Sequence, residues 1–449
     1  DRAPTGLPEA HHRPAATLPF PLTGAQARCV TEIINDLRSP DRMVRLLQGD
    51  VGSGKTAVAF LAMAHMAASG FQSAMMAPTE LLARQHFATL SAFAEPAELS
   101  IVCLTGKTKA AEAHATRAAI ADGSVDMIIG TQALFQESVS YARLGLAVID
   151  EQHRFGVHQR LDLAAKGEDV DLLVTTATPI PRTLLLSFYG DMDVSKIDEK
   201  PAGRPEIDTR IISGERIEEV IAAIRRALER GERIYWICPL VAESEAIDAQ
   251  AAEARYEDLK QRLGPSVGLV HGRMSPEEKD KVTEAFRSGE TGVLVATTVV
   301  EVGVDVPDAT VIVIESAERF GLAQLHQLRG RVGRGTRASF CLLLYTPPLG
   351  ETALKRLSVL RETNDGFRIA EEDLTARGGG DMLGVRQSGM PGFRLVRPEA
   401  HLDLIDTARQ DARLTLDEDP GLASERGQAI RVLLHLFERV EATRFLDSG

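Results

Sequence analysis

The sequence predicts an α/β protein in which a parallel sheet covered by helices occurs twice in tandem, followed by a mainly helical C-terminal segment. Three observations predict it. Gly49 to Thr56, GDVGSGKT, fits the phosphate-loop pattern G-x-x-x-x-G-K-[ST] at every fixed position. Short apolar runs recur along the chain, each stopping at small, polar or acidic residues, with helix-compatible stretches between them. The same alternation resumes beyond the Pro/Gly-punctuated connector Lys200–Pro205, without a second phosphate loop.

Val44–Leu47 is apolar enough for a buried strand, and Thr56–Ala68, rich in Ala, Leu and Met, reads as a helix. Strand, Gly-rich turn and helix are the context this chemistry needs. Gly49, Gly52 and Gly54 are expected to take tight, positive-φ conformations that aim successive N–H groups at phosphate oxygens. Lys55 would reach the β- and γ-phosphates of ATP, and the Thr56 hydroxyl would bind Mg2+.

Further strands are expected at Ser73–Ala77, Ser100–Leu104, Asp126–Ile129, Leu144–Ile149 and Leu172–Thr175, with a helix at Ala110–Ala121. Chemistry at the strand ends places a ligand at the carboxyl edge of the sheet. Asp150 and Glu151 close one of these strands. Asp150 would hold the Mg2+, and Glu151 would orient and deprotonate the attacking water. Upstream, Phe20 offers an aromatic face for a purine, and the Gln26 amide can pair with an adenine edge. The same residues equally suit a helix start with a hydrophobic staple.

In the second half, a helix is expected over Ile217–Arg230 and strands at Arg233–Leu240, Val267–Val270, Gly292–Ala296 and Thr310–Ile314. A duplicated fold with one nucleotide site implies that the second copy completes the first. Thr352–Leu360 and Gly366–Leu374 are helix-compatible, and Gly378–Gly380 is expected to form a sharply turned, mobile loop. The segment boundaries read as 1–17 (linker or remnant of an upstream domain), 18–203, 204–347 and 348–449.

Composition bounds the answer. A chain of 449 residues is too long for one ordinary core, and 44% hydrophobic with 26% charged residues is usual for a globular protein. No apolar run is long enough to span a membrane, and no secretory signal is seen. The four cysteines are scattered and suit a reducing cytosol, so a cytoplasmic location is expected. A formal charge of −13 excludes a broad basic surface but not a locally positive groove for nucleic acid.

The order of the motifs narrows the class. GDVGSGKT, APTELL, DEQH, TATP, TTVVEVGVD and QLRGRVGR together resemble superfamily 2 helicases and translocases. That resemblance implies two RecA-like parallel-sheet lobes with ATP between them. Arg331 and Arg334 match arginine fingers on the γ-phosphate. Gly303 and Asp305 match the motif linking ribose and nucleic acid to the cleft. His153, Thr176 and Thr178 match positions that couple hydrolysis to lobe movement.

LPFPLTGAQ, DEQHRFGVHQR, TATPIPRT, YGDMDVS and RETNDGFRIAEEDLTARGGGDMLGVRQSG resemble, more narrowly, the bacterial RecG family. This resemblance covers about Leu18 to Gly449. It implies a helicase that moves on duplex DNA to unwind or remodel stalled forks and Holliday junctions in recombination and repair. It also implies a monomer in the bacterial cytoplasm, associated with the nucleoid, and contact with a single-stranded-DNA-binding protein. Arg356, Arg377 and Gln387 match residues of a C-terminal translocation module that pass lobe closure to a DNA-gripping loop.

Three departures stand out. Gln132 replaces the family's usual His, and Gly379 replaces a usual Pro. The chain begins about where the family's N-terminal wedge domain should end, so fork selectivity is expected to be weakened. Two other classes compete: a coupling-factor-type translocase acting on RNA polymerase, and a nucleic-acid-binding scaffold with a dead ATP site. LPFPLTGAQ and DEQHRFGVHQR fit the first less well. Lys55, Asp150, Glu151, Arg331 and Arg334 together argue against the second.

Overall fold

In a computed structural model of the chain, the described residues are 18–136, 138–150, 170–177, 192–201, 203, 205–239, 245–297, 306, 308–381 and 398–436. The first lobe opens on helix α1, Gly24–Leu37. Thr23 and Gln26 start it with a reciprocal cap: the Thr23 hydroxyl accepts from Gln26 N, and the Gln26 carbonyl accepts from Thr23 N. Ala25, Cys29, Ile33 and Leu37 fall on one face and are buried.

Strands β1 (Val44–Gly49), β2 (Gln72–Met76), β3 (Ile101–Leu104), β4 (Met127–Gly130), β5 (Leu144–Ile149), β6 (Asp171–Thr176) and β7 (Asp193–Ile197) form one sheet in the order β3-β4-β2-β5-β6-β1-β7. Every pairing in it is parallel. Helices α2 (Lys55–Ala68), α3 (Glu80–Ala94) and α4 (Ala110–Asp122) connect the strands. Residues Ala57 to Met66 of α2 are all buried. Their Ala-rich sequence lets the helix sit close on the centre of the sheet, so the phosphate loop is fixed at both ends by core.

The second lobe repeats the plan with β8 (Ile207–Ser213), β9 (Arg233–Cys238), β10 (Val267–Val270), β11 (Val293–Thr297), β12 (Ala309–Ile314) and β13 (Ser339–Tyr345), ordered β10-β11-β9-β12-β13-β8. These pairings are also all parallel. Helices α5 (Ile217–Glu229), α6 (Glu245–Leu263), α7 (Pro276–Ser288) and α8 (Leu322–Arg329) belong to it. Then follow α9 (Glu351–Glu362), α10 (Gly366–Asp381), α11 (Pro398–Glu418) and α12 (Glu425–Leu436). The described residues through 177 and from 193 to 373 make one compact unit that holds both sheets; Met192 and those from 374 onward belong to a second.

The two parallel-sheet lobes and helical C-terminal region agree with the fold class expected from sequence. Two differences have physical reasons. Strands β7, β8 and β13 were not anticipated; β7 and β8 lie at sheet edges and carry charged residues such as Lys196, Asp208 and Arg210 that mask their period, whereas β13 is the interior apolar run SFCLLLY. The backbone of Gly378–Gly380, expected as a turned loop, continues α10. Each glycine costs a helix roughly 1 kcal/mol relative to Ala, which a helix already long when it reaches them can absorb.

One glycine is sterically fixed. Gly130 ends β4 beside β3, and a Cβ there would stand 2.1 Å from the Leu104 carbonyl oxygen and 2.8 Å from Leu134 Cγ. Gly130→Ala is expected to destabilise the first lobe by about 1–3 kcal/mol through this overpacking, read as a lowered denaturation midpoint.

Candidate active site between the lobes

The phosphate loop leaves β1 at Gly49 and enters α2 at Lys55. Gly52 and Gly54 take φ of 76° and 86°, the left-handed region that the expectation required. Gly49 does not take a positive φ. It is needed for space: a Cβ there would meet Ser53 Oγ at 2.5 Å and Ile197 Cβ at 3.1 Å. Lys55 Nζ donates to the carbonyls of Gly49 (2.8 Å) and Asp50 (3.0 Å), so its charge lies over the loop. Gln26 is buried and donates from Nε2 to Ser53 O at 2.7 Å, while its carbonyl is engaged by Thr23. Gln26 therefore holds the loop itself. Phe20 packs edge-on against Phe93 at 6.0 Å and lines neither of the two clefts described below.

The acidic side comes from β5, β6 and α3. Asp150 follows β5, with Oδ2 held at 2.7 Å by His86 Nε2 from α3 and Oδ1 accepting from the Thr175 hydroxyl of β6. Burial pushes this carboxyl up, but the His86 and Thr175 hydrogen bonds and the nearby Lys55 charge outweigh it and hold it below the ordinary carboxylate range. Neither His86 nor Thr175 was singled out from sequence. Their signal was only a histidine one turn into the helix after APTELL and a threonine next to the expected TAT run. Thr176 itself is buried in β6 and does not line the cleft, because alternate residues of a strand face opposite sides.

The second lobe contributes the segment that follows α8. Arg331 and Arg334 line a cleft of about 460 Å³ together with Gly52, Lys55, Thr56 and Asp150. The structure thus brings the two arginines, some 275 residues along the chain from Lys55, to the same space as the loop lysine and the strand-end acid. Two contacts fix this approach. Val51 of the loop packs on Gly330, where a Cβ would stand 2.8 Å from Val51 Cβ. His326 Nε2 lies 2.7 Å from Asp50 Oδ1. A second cleft of about 430 Å³ is lined by Asp50, Lys200, Arg329 and Arg334 among others.

Arg356 donates from Nη2 to Glu318 O at 2.7 Å, away from the nucleotide cleft. Arg377 lies on the backbone of α10, and its side chain is outside the described residues. Glu151, His153, Thr178, Gly303, Asp305 and Gln387 also lie outside them.

The oxygen donors present suit magnesium. An ionised Asp150 and the Thr56 hydroxyl line one cleft beside Lys55, and a hard cation that keeps waters and shares phosphate oxygens needs no more than one or two protein ligands. Among the described residues no cluster of three or more His, Cys, Asp or Glu could hold a metal without substrate.

Asp50 titrates as a sign of how the loop is held. Burial raises its carboxyl, but the His326 hydrogen bond, Lys200 and the Val51 N–H bring it down to about 2 from an ordinary 3.8. A depressed folded value contributes stability that is present above the unfolded value and lost as pH falls toward the folded one. Asp50→Asn should therefore cost about 2 kcal/mol at pH 7. In denaturant titrations the gap to wild type should hold from pH 7 to 5 and narrow below pH 4. A gap that stays flat down to pH 3 would contradict this.

The chain matches known proteins along most of its length. Residues 23–186 match the DEAD/DEAH box helicase model, 215–336 the helicase conserved C-terminal domain, and 363–438 the C-terminal part of domain 3 of the ATP-dependent DNA helicase RecG. It is 50% identical over 416 residues to the ATP-dependent DNA helicase RecG of Pasteurella multocida (strain Pm70), covering 91% of this chain and 60% of that protein. To RecG of Bacillus subtilis (strain 168) it is 48% identical over 398 residues, covering 88% and 58%. The chain thus spans about three-fifths of the length of these relatives. A solved structure of RecG bound to a three-way DNA junction superposes with a TM-score of 0.73 at 43% identity, covering 88% of this chain and 51% of that one. Over the residues it shares with these proteins, the chain is similar throughout to the ATP-dependent DNA helicase RecG.

Proposed function

We propose that the chain is an ATP-driven motor that moves on duplex DNA and remodels branched DNA. The observation that carries this is the split cleft: Lys55, Thr56 and Asp150 come from one lobe, Arg331 and Arg334 from the other. A site completed by two lobes makes hydrolysis depend on their approach, and that dependence is what turns chemistry into motion.

In this reading the triphosphate draws the Lys55 ammonium from the Gly49 and Asp50 carbonyls onto the β- and γ-phosphates. The loop N–H groups around Gly52 and Gly54 cradle the same oxygens. Thr56 and Asp150 would hold magnesium, which when bound would offset the negative charge of the phosphates. His86 and Thr175 keep Asp150 ionised and oriented. Glu151, the residue after Asp150, is assigned to orient and deprotonate the attacking water. Arg331 and Arg334 stabilise charge developing on the γ-phosphate, an effect worth roughly 10³–10⁵ in rate for such groups.

DNA is assigned to loops at the carboxyl ends of β2, β4 and β10: residues Pro78–Arg84, Gly130–Gln132 and His271–Arg273. Thr79 caps α3 with its hydroxyl accepting from Leu82 N at 3.3 Å, which leaves other N–H groups of that helix start to meet phosphate. Backbone donors of this kind reconcile a charge of −13 with a polyanionic track. The RecG solved on a three-way junction supports branched DNA as the target class. Action at forks and Holliday junctions, a monomeric state, contact with a single-stranded-DNA-binding protein and a place in the bacterial cytoplasm complete the proposal. All four cysteines are free thiols, and no helix among the described residues is long and apolar enough to cross a membrane.

Lys55→Ala should lower DNA-stimulated ATP hydrolysis by at least about 100-fold, measured as phosphate release with and without duplex DNA, because the β- and γ-phosphates lose their one loop cation. Retained stimulation would refute the site. Comparing plain duplex with a fork then tests the substrate: stronger stimulation by the fork supports branched-DNA selectivity within this stretch of chain, and equal stimulation removes it.

A further inference from the structure

The side chain of Asp50, the one carboxylate of the loop, occupies a position the phosphate-loop pattern leaves variable, yet three neighbours engage it. Oδ1 accepts from its neighbour Val51 N (2.7 Å) and lies 2.7 Å from His326 Nε2; Oδ2 lies 3.4 Å from Lys200 Nζ. On the far side of the imidazole, Arg329 Nη2 stands 3.1 Å from His326 Nδ1. A guanidinium only donates, so Nδ1 is the acceptor and the ring proton on Nε2 points to Asp50. Arg329 is 1% exposed, and its Nη1 donates to Leu360 O (2.6 Å) and Thr363 O (2.9 Å), the carbonyls that close α9. A continuous chain of hydrogen bonds therefore runs from the phosphate loop to the turn between α9 and α10.

That chain has little slack. A buried guanidinium that lost its carbonyls would keep only His326 and a long 3.4 Å bond to the Thr209 hydroxyl, so the turn and Arg329 are tied to move together. Gly366, the first residue of α10, lies so close that a Cβ on it would stand 2.7 Å from His326 Nε2 and 3.0 Å from Asp50 Cγ. Lys200 gives a parallel arm: besides approaching Asp50, its Nζ donates to Asn364 O at 2.9 Å. At the loop end, the Asp50 carbonyl is one of the two oxygens held by Lys55 Nζ. One residue thus meets the group that phosphate would move through its carbonyl, and the α9–α10 turn through its carboxylate.

We propose that Asp50, His326 and Arg329 are positioning residues forming a relay that carries the state of the phosphate loop to the α9–α10 turn, and so sets the helices leading into the C-terminal region. This rests on the motor reading above. It differs from the role implied for Arg356, which bonds Glu318 O in the second lobe and makes no contact with this chain of hydrogen bonds.

The test measures ATP turnover on duplex DNA (kcat and KM) alongside displacement of a third strand from a triplex on the same duplex. The chains compared are wild type, His326→Ala, His326→Gln and Gly366→Ala. Gly366→Ala keeps every polar group and wedges the relay apart, so it decides the matter even if His326→Ala folds poorly; thermal unfolding of each variant is followed in parallel. The relay allows ATP turnover itself to fall in His326→Ala and Gly366→Ala, because His326 also helps to fix the approach of the lobes, and it is read from displacement relative to turnover. Strand displacement per ATP should fall at least tenfold in both, and His326→Gln, whose Nε2 can still donate to Asp50, should recover to within threefold. An unchanged displacement-to-hydrolysis ratio in both variants would overturn the relay, as would hydrolysis and displacement falling in the same proportion. A wild-type chain that hydrolyses ATP on duplex DNA without displacing the strand would overturn the motor reading, and the relay with it. Loss confined to the variants separates the two.

Discussion

The contact between the phosphate loop and the segment from His326 to Arg334 is the constraint on which the rest of the molecule depends. Asp50 meets His326, Val51 meets Gly330, and the arginines on either side of that glycine serve different neighbours. Arg329 turns inward to the carbonyls of Leu360 and Thr363, while Arg331 faces the cleft with Lys55 and Asp150. Gly330 makes this possible, since any side chain there would hold the loop and the arginines apart. The second sheet delivers this segment, and its own phosphate loop would be redundant.

The first lobe prepares the other half by burial. Helix α2 is surrounded by core along most of its length, and β1 lies between β6 and β7. Parallel strands buried on both faces cannot slip by one residue without turning apolar side chains outward, so the loop between β1 and α2 has a fixed origin and direction. The Gln26–Ser53 bond then ties the loop to α1, and the His86 and Thr175 bonds hold the acid at the end of β5. The cleft is a place where backbone amides, one lysine, three arginines and one carboxylate converge between the carboxyl edge of the first sheet and the segment that follows α8.

Much of this was legible from the residues, and the reasons for success and failure are physical. The loop glycines, Lys55 and Thr56 are read from local spacing, because the phosphate binding proposed for them would depend on consecutive backbone geometry. Most buried central strands announce themselves as apolar runs, although β13, equally apolar, was not anticipated. Edge strands β7 and β8 do not, since exposure lets charge interrupt their period. His86, Thr175 and His326 were missed because their roles come from partners 64, 25 and 276 residues away. No local period encodes such pairs. Asp50 was passed over because the motif leaves its position free, although its neighbours do not. The glycine run 378–380 was read as a loop from composition, where the helix preceding it decided the backbone.

The central claim is that the hydrolysis site is shared between two lobes. The most direct measurement is ATP turnover by Arg331→Ala on duplex DNA, together with equilibrium binding of a fluorescent ATP analogue to the same protein. Lys55, Thr56 and the loop amides remain in the variant, so binding should persist within about tenfold. Turnover should fall by roughly 10³ or more, since the lost group acts on charge that develops only in the transition state. Turnover equal to wild type would contradict the account, for it would mean that the first lobe hydrolyses ATP without the second.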